Sequence, residues 1–208
     1  MFFEGPRSRF ACKLAEVRCV ARVRGGKRCA RTTKHTAPFC EHHCATFLGV
    51  KVSPSTQNVG YGLFALRYFD AGEPIAPLIG EKITPAENIR RYGRYADSVA
   101  PYVVSCRQHG RLPVLIDGAC RRGVGFYSNT VLGSSDHEGG GFRVSDEAAC
   151  NARVQTLYLN ALKLPSTTPM NWIVSTTMIG RGMEILTDYG PRFAVQTGPE
   201  NMYTYTTC

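Results

Sequence analysis

The stretch that most constrains this 208-residue chain is IGRGMEILTDYG, residues 179–190. Ile185, Leu186 and Thr187 suit a strand, and Gly180 and Gly182 mark a turn before it. An acid and a phenol, Asp188 and Tyr189, then stand against Gly190. A tyrosine held between a buried strand and a glycine presents its hydroxyl to a cleft. Two upstream stretches carry patterns that belong with this one.

The first, GYGLFALRYFDAGEPIAPLIGEKIT (residues 60–84), reads strand, turn, strand, turn. Gly60 and Gly62 stand where backbone amides can approach a ligand closely. The second, DGACRRGVGFYSNT (residues 117–130), is a glycine-rich run ending at Ser128-Asn129. In this order the three stretches resemble the SET-domain family of protein lysine methyltransferases. That family opens on G-x-G-[LV]-F-A and an acidic-glycine turn, passes through a glycine-rich run into Asn-His-Ser, and closes on I-x-x-G-E-E-[IL]-x-x-[DN]-Y-G. The resemblance spans about residues 52–193. Thr130 stands where the family has its histidine, Phe126 replaces the arginine of the run, and Met183 replaces the first glutamate.

The resemblance implies a mainly β (α+β) fold, a SET-type β-clip of small sheets with a short helical insert. It implies S-adenosyl-L-methionine as cofactor, held by Gly60, Tyr61, Gly62, Asn129 and Asn151. It implies a lysine channel lined by Tyr189 with Tyr102 or Tyr127, and a lysine-bearing protein substrate, with histone tails first among them. An inactive SET-like domain serving as a zinc-dependent nucleic-acid or chromatin adaptor is the competing expectation, favoured by Thr130, Met183 and a tail whose one cysteine is Cys208.

Residues 1–50 have a different character. They hold ten Lys/Arg against three acids, +7 of a net charge of +9, so the two parts of the chain are expected to do different work. Five of nine cysteines fall in the first 44 residues. An odd count without a secretory signal argues against a disulfide framework and for metal. Cys19, Cys29, Cys40 and His43, spaced C-x9-C-x10-C-x2-H, offer three thiolates and an imidazole to a tetrahedral Zn²⁺. Cys12, His35, His42 and Cys44 are the substitute ligands. The segment is poor in aliphatics, so metal is expected to supply its stability. The arginines exceed what a metal site needs, and phosphate of nucleic acid or an acidic protein surface is their expected partner.

The organisation expected is a basic Cys/His zinc module over 1–50, a SET-like domain over 51–195 and a tail over 196–208. No apolar run approaches the ~20 residues of a membrane helix, and the N-terminus lacks a signal peptide's apolar core. An intracellular protein follows, with the nucleus ahead of the cytoplasm. Thr84-Pro85-Ala86-Glu87 predicts a helix start, with Ile89, Tyr92 and Ala96 on one face. A short strand and then a polar loop are expected over 50–59, and strands near 102–106, 112–116, 153–159 and 171–175, with a turn at His109-Gly110. A mobile Gly/Ser-rich loop containing His137 is expected over 131–149. Phe193, Tyr203 and Tyr205 are candidates to fold over the site.

Overall fold

The computed structural model describes residues 10, 12–57, 60–93, 102–106, 114–134, 142–145, 147–157, 170–189, 194–196 and 204–206. Ala96, His109, Gly110, His137, Gly190, Phe193 and Tyr203 lie outside them.

Short β-rich runs broken by glycine and proline leave room for small sheets only. Strand β1 (Val17–Arg18) pairs antiparallel with β2 (Thr32–Thr33). Helix α1 (Glu41–Leu48) ends at Gly49 and runs directly into β3 (Val50–Pro54), which pairs antiparallel with β4 (Tyr61–Ala65). Next come β5 (Pro74–Pro77), β6 (Glu81–Ile83), α2 (Pro85–Tyr92), β7 (Val103–Cys106) and β8 (Val114–Asp117), with β8 between β6 and β7. A 3-10 turn, Val124–Tyr127, precedes β9 (Leu132–Ser134) and β10 (Phe142–Ser145). The chain continues through β11 (Ala152–Leu157), β12 (Met170–Ser175), β13 (Thr187–Asp188), β14 (Ala194–Gln196) and β15 (Thr204–Thr206). One sheet runs β13-β11-β12-β5, and another runs β15-β14-β10-β9.

The fold is therefore mostly strand in small sheets with few helices, as expected, and four local expectations change. Helix α2 starts as read, with the Thr84 hydroxyl accepting from the Glu87 amide at 3.1 Å, but it stops at Gly93. Its buried residues are Asn88 and Tyr92, while Ile89 is exposed. Loop residues 132–134 and 142–145 pair as two antiparallel strands. Residues 184–187 do not form one regular strand. They bridge Phe64 through Glu184 and Asn129 through Leu186, and only Thr187–Asp188 joins a sheet, parallel to β11.

The fourth change concerns the core. Leu63, Phe69, Ile75, Ile173, Val174, Ile179 and Ile185 are fully buried, and Phe39, Cys44, Leu48 and Val50 belong to the same cluster. The basic N-terminal segment is thus short of aliphatics but shares the core of the strands behind it. Burying Phe39 and Leu48 there contributes about 1.5–3 kcal/mol each.

One charged cluster braces the helical insert. Asp117 is fully buried and accepts from Arg91 Nη1 (2.9 Å), the Tyr92 hydroxyl (2.9 Å) and the Ala119 amide (2.8 Å). Arg91 also grips Glu81 and Glu87. Burial, with Asp117 beside it, pushes the Tyr92 phenol well above its ordinary range. Removing the cation leaves a buried carboxylate without its main partner. The Arg91→Met chain is expected to lose about 3–5 kcal/mol, read as a lower urea midpoint at unchanged m-value.

Candidate functional site

Two sites are built from distant parts of the chain. In the first, the β1–β2 pair and α1 bring together Cys19, Cys29, Cys40 and His43, whose ligand atoms all lie within 4.8 Å of one another. The Nδ1 of His43 faces the Sγ of Cys40 at 3.3 Å and that of Cys19 at 3.5 Å. A tetrahedral zinc with Zn–S bonds of about 2.3 Å needs sulfurs about 3.8 Å apart, so this donor set fits that ion. The arginines do more here than the sequence suggested. Arg28 Nε donates to the Cys19 carbonyl at 2.8 Å and Arg18 Nε to the Cys29 carbonyl at 3.0 Å, while Arg22 closes the Gly26 turn at 2.8 Å. Three of the ten cations therefore hold the loops that carry the thiols.

None of the substitute ligands joins this group. Cys44 is buried one turn along α1, and burial pushes its thiol up to about 12. His42 and His35 are exposed. Cys12 is bonded to Cys120, which corrects the expectation against disulfides. Cysteine counting missed this pair because its members are 108 residues apart and belong to no motif.

The second site is organised by Glu184. Its carboxylate is 6% exposed and accepts from Ser55 Oγ (2.7 Å), the Thr56 amide (2.8 Å), the Thr56 hydroxyl and Asn129 Nδ2 (3.0 Å). Asn129 Nδ2 also donates to the Tyr61 carbonyl at 3.1 Å. With both amide protons used, Asn129 Oδ1 is an acceptor with no hydrogen-bond partner among the described residues. Gly62 matters for a reason other than ligand approach: a Cβ there would collide with the Glu184 carboxylate. Gly60, at φ +90° with open space above it, is the glycine that keeps the backbone accessible. Asn151 stands on the far side, donating to the Glu184 carbonyl at 2.9 Å and accepting from the Leu186 amide at 2.9 Å. The 184–187 segment is thus clamped between Asn129 and Asn151.

That clamp aims Tyr189. Its hydroxyl donates to the Ser128 carbonyl at 2.6 Å, and the side chain is 40% exposed. Tyr127, the neighbour of Ser128, is buried, and its hydroxyl meets His35 Nδ1 at 2.6 Å. Tyr102 lies under the Arg122 guanidinium, 3.5 Å from its ring centroid, and the same guanidinium stands 5.6 Å from Tyr127. The three candidate tyrosines therefore gather around Ser128 and Arg122. Sequence reading missed Glu184, Ser128, His35 and Arg122 as participants; Glu184 lay inside a quoted motif, and a buried acid there was the available signal.

The departures from the family pattern fall unevenly. Met183 is 49% exposed; its carbonyl accepts from Ala65 N at 2.9 Å and its sulfur from Gly180 N at 3.2 Å. Phe126 packs over Gly118, where a Cβ would press into its ring. Thr130 is buried beside Cys150, next to the Asn129–Leu186 bridge.

The SET-domain family model matches residues 60–190, the span that carries Gly60, Asn129, Glu184 and Tyr189. The chain belongs to the SET-domain family. Similar solved structures include an active polycomb repressive complex 2 in the basal state, at 23% identity and TM-score 0.46. Another is ctPRC2 in complex with H3K27me3 and H3K27M, at 24% identity and TM-score 0.47. Each alignment covers 69% of this chain and 15% of the other. No curated protein matches the chain. Among the described residues, no helix is long and apolar enough to cross a membrane.

The full chain is expected to carry one zinc per molecule by metal analysis. Cys29→Ser is expected to lose that zinc and to lower the melting temperature, whereas Cys44→Ala is expected to keep the metal.

Proposed function

We propose that the chain is an S-adenosylmethionine-dependent protein-lysine methyltransferase. The observation that carries this reading is the Tyr189 hydroxyl seated on the Ser128 carbonyl, one residue from Asn129 and its acceptor oxygen. When bound, the cofactor supplies a methyl activated on a sulfonium. Its ammonium and sulfonium are cationic, and the residues present suit them: the amide oxygen of Asn129, the buried Glu184 behind it, and accessible backbone at Gly60 and Tyr61.

The protein's part is alignment. A substrate lysine must arrive neutral, in line with the methyl and out of water, and orientation of this kind is worth about 7–11 kcal/mol. Ser128 O accepts from an amine N–H, and the Tyr189 oxygen, displaced slightly from that carbonyl, holds the amine from a second direction. The part-exposed face of Tyr189 suits the methylene stem of lysine and a nearby positive charge, with Tyr127 buried behind Ser128 and Tyr102 held under Arg122.

Histone tails are the substrate we favour, and the nucleus is the matching compartment. The module's remaining exposed cations, Lys13, Arg24, Lys27, Arg31 and Lys34, are placed to meet phosphate or acidic protein surfaces. The Cys/His cluster is the zinc site of that module, and 1–50, 51–195 and 196–208 remain our division of the chain.

Transfer of labelled methyl from S-adenosylmethionine onto histones and a fractionated protein extract tests this reading; no incorporation in any fraction sinks it in favour of a binding adaptor. Tyr189→Phe removes one oxygen and keeps the ring, so turnover is expected to fall at least tenfold, or about 1.4 kcal/mol, at unchanged cofactor affinity. Asn129→Ala removes the acceptor oxygen and a donor to Glu184. Calorimetry is expected to show S-adenosylmethionine binding weakened by about tenfold or more.

A further inference from the structure

We propose that His35, carried by the Cys/His module, is a positioning residue for methyl transfer, acting through Tyr127 on the Ser128 carbonyl. The inference rests on the reading of Ser128 and Tyr189 as the lysine end of the site. His35 Nδ1 and the Tyr127 hydroxyl meet at 2.6 Å across 92 residues of sequence. Their rings stand edge-on with centroids 5.9 Å apart, and the His35 ring also lies 6.3 Å from that of Tyr61. His35 therefore touches the residues preceding both Ser128 and Gly62.

His35 is not a loose side chain that happens to reach this far. Its turn is fixed by buried hydroxyls. Thr36 N donates to Thr33 Oγ1 at 3.0 Å, the two threonine hydroxyls meet at 2.8 Å, and Thr36 Oγ1 donates to the Phe39 carbonyl at 2.7 Å. Phe39 precedes the zinc ligand Cys40, so the metal loop and the His35 turn are continuous.

The receiving element is fixed as firmly. Val124 N donates to the Ala37 carbonyl at 3.0 Å, and Ala37 bridges Gly123. The module thus holds the 3-10 turn at its start through the backbone and at its end through Tyr127. The turn closes with Ser128 N and Ser128 Oγ both donating to the Gly125 carbonyl, at 3.2 and 2.9 Å. The direction of the Ser128 carbonyl is set by that turn, and the carbonyl is what Tyr189 and an incoming amine address. Burial pushes the Tyr127 phenol up, and its hydroxyl shares one hydrogen bond with His35 Nδ1. A residue whose task was to fill space next to the turn would need no hydroxyl, and an exposed histidine adds little to burial.

The test uses the full zinc-loaded chain with labelled S-adenosylmethionine and a lysine-bearing histone-tail peptide that the wild type methylates. His35→Ala is expected to lower kcat about fivefold, the worth of one hydrogen bond. KM for the peptide, S-adenosylmethionine affinity by calorimetry and zinc content should stay within twofold. His35→Gln, which keeps a hydrogen-bonding group at similar reach, is expected to recover most of the rate. Tyr127→Phe, with the module untouched, should lose the same factor, and the double variant should be no worse than either single one. Full kcat in His35→Ala, no recovery in His35→Gln, or losses that multiply in the double variant would overturn the proposal. A wild-type chain that methylates nothing overturns the functional reading and this inference with it; an active wild type with a fully active His35→Ala overturns this inference alone.

Discussion

A carboxylate in a protein interior is tolerated only when its oxygens are filled with donors. Glu184 meets that demand from three directions, through Ser55 and Thr56 after β3 and through Asn129 beyond the 3-10 turn. The demand shapes its neighbours. Gly62 must lack a side chain to leave the carboxylate room, and Asn129 commits its amide protons to Glu184 and the Tyr61 carbonyl. The acceptor oxygen proposed for the cofactor is therefore a by-product of satisfying a buried acid. The exposed Met183 beside it carries no such obligation, which is why a change from the family's acid is accommodated there.

The N-terminal module depends on the rest of the chain as well as on metal. Its Phe39 and Leu48 lie in the same cluster as Leu63 and Ile173, and its arginines spend hydrogen bonds on the carbonyls of Cys19 and Cys29. The cation excess that suggests a polyanion partner is thus partly structural. Arg18, Arg22 and Arg28 hold loops, which leaves Lys13, Arg24, Lys27, Arg31 and Lys34 as the other exposed cations among the described residues of the module.

Local chemistry was legible in the sequence. The Thr84 cap, the β12 strand and the Cys19, Cys29, Cys40, His43 set each announce themselves within a few residues, by capping, strand propensity or ligand spacing. The joint order of the glycine run, Asn129 and Tyr189 made the family readable. What stayed hidden were pairings without a local signature. Cys12 with Cys120 and His35 with Tyr127 join residues 108 and 92 apart, and nothing in either neighbourhood names the other. The residues 184–187 misled for a related reason. Their β-branched and aliphatic character is that of a strand, but tertiary bridges to Phe64, Asn129 and β11 divide them among several partners.

The clamp of residues 184–187 between Asn129 and Asn151 has a consequence for how the molecule comes into being. Its contacts are almost all between segments dozens of residues apart, and loop closure must be met before such contacts stabilise anything. During synthesis from the N-terminus, the Cys/His loop and the β3–β4 hairpin can assemble while Glu184 is still unmade. Until that residue emerges, Ser55, Thr56 and Asn129 lack the acceptor they surround, and Ser128 lacks Tyr189. The cleft thus waits on the C-terminal third of the chain, whatever has formed before it.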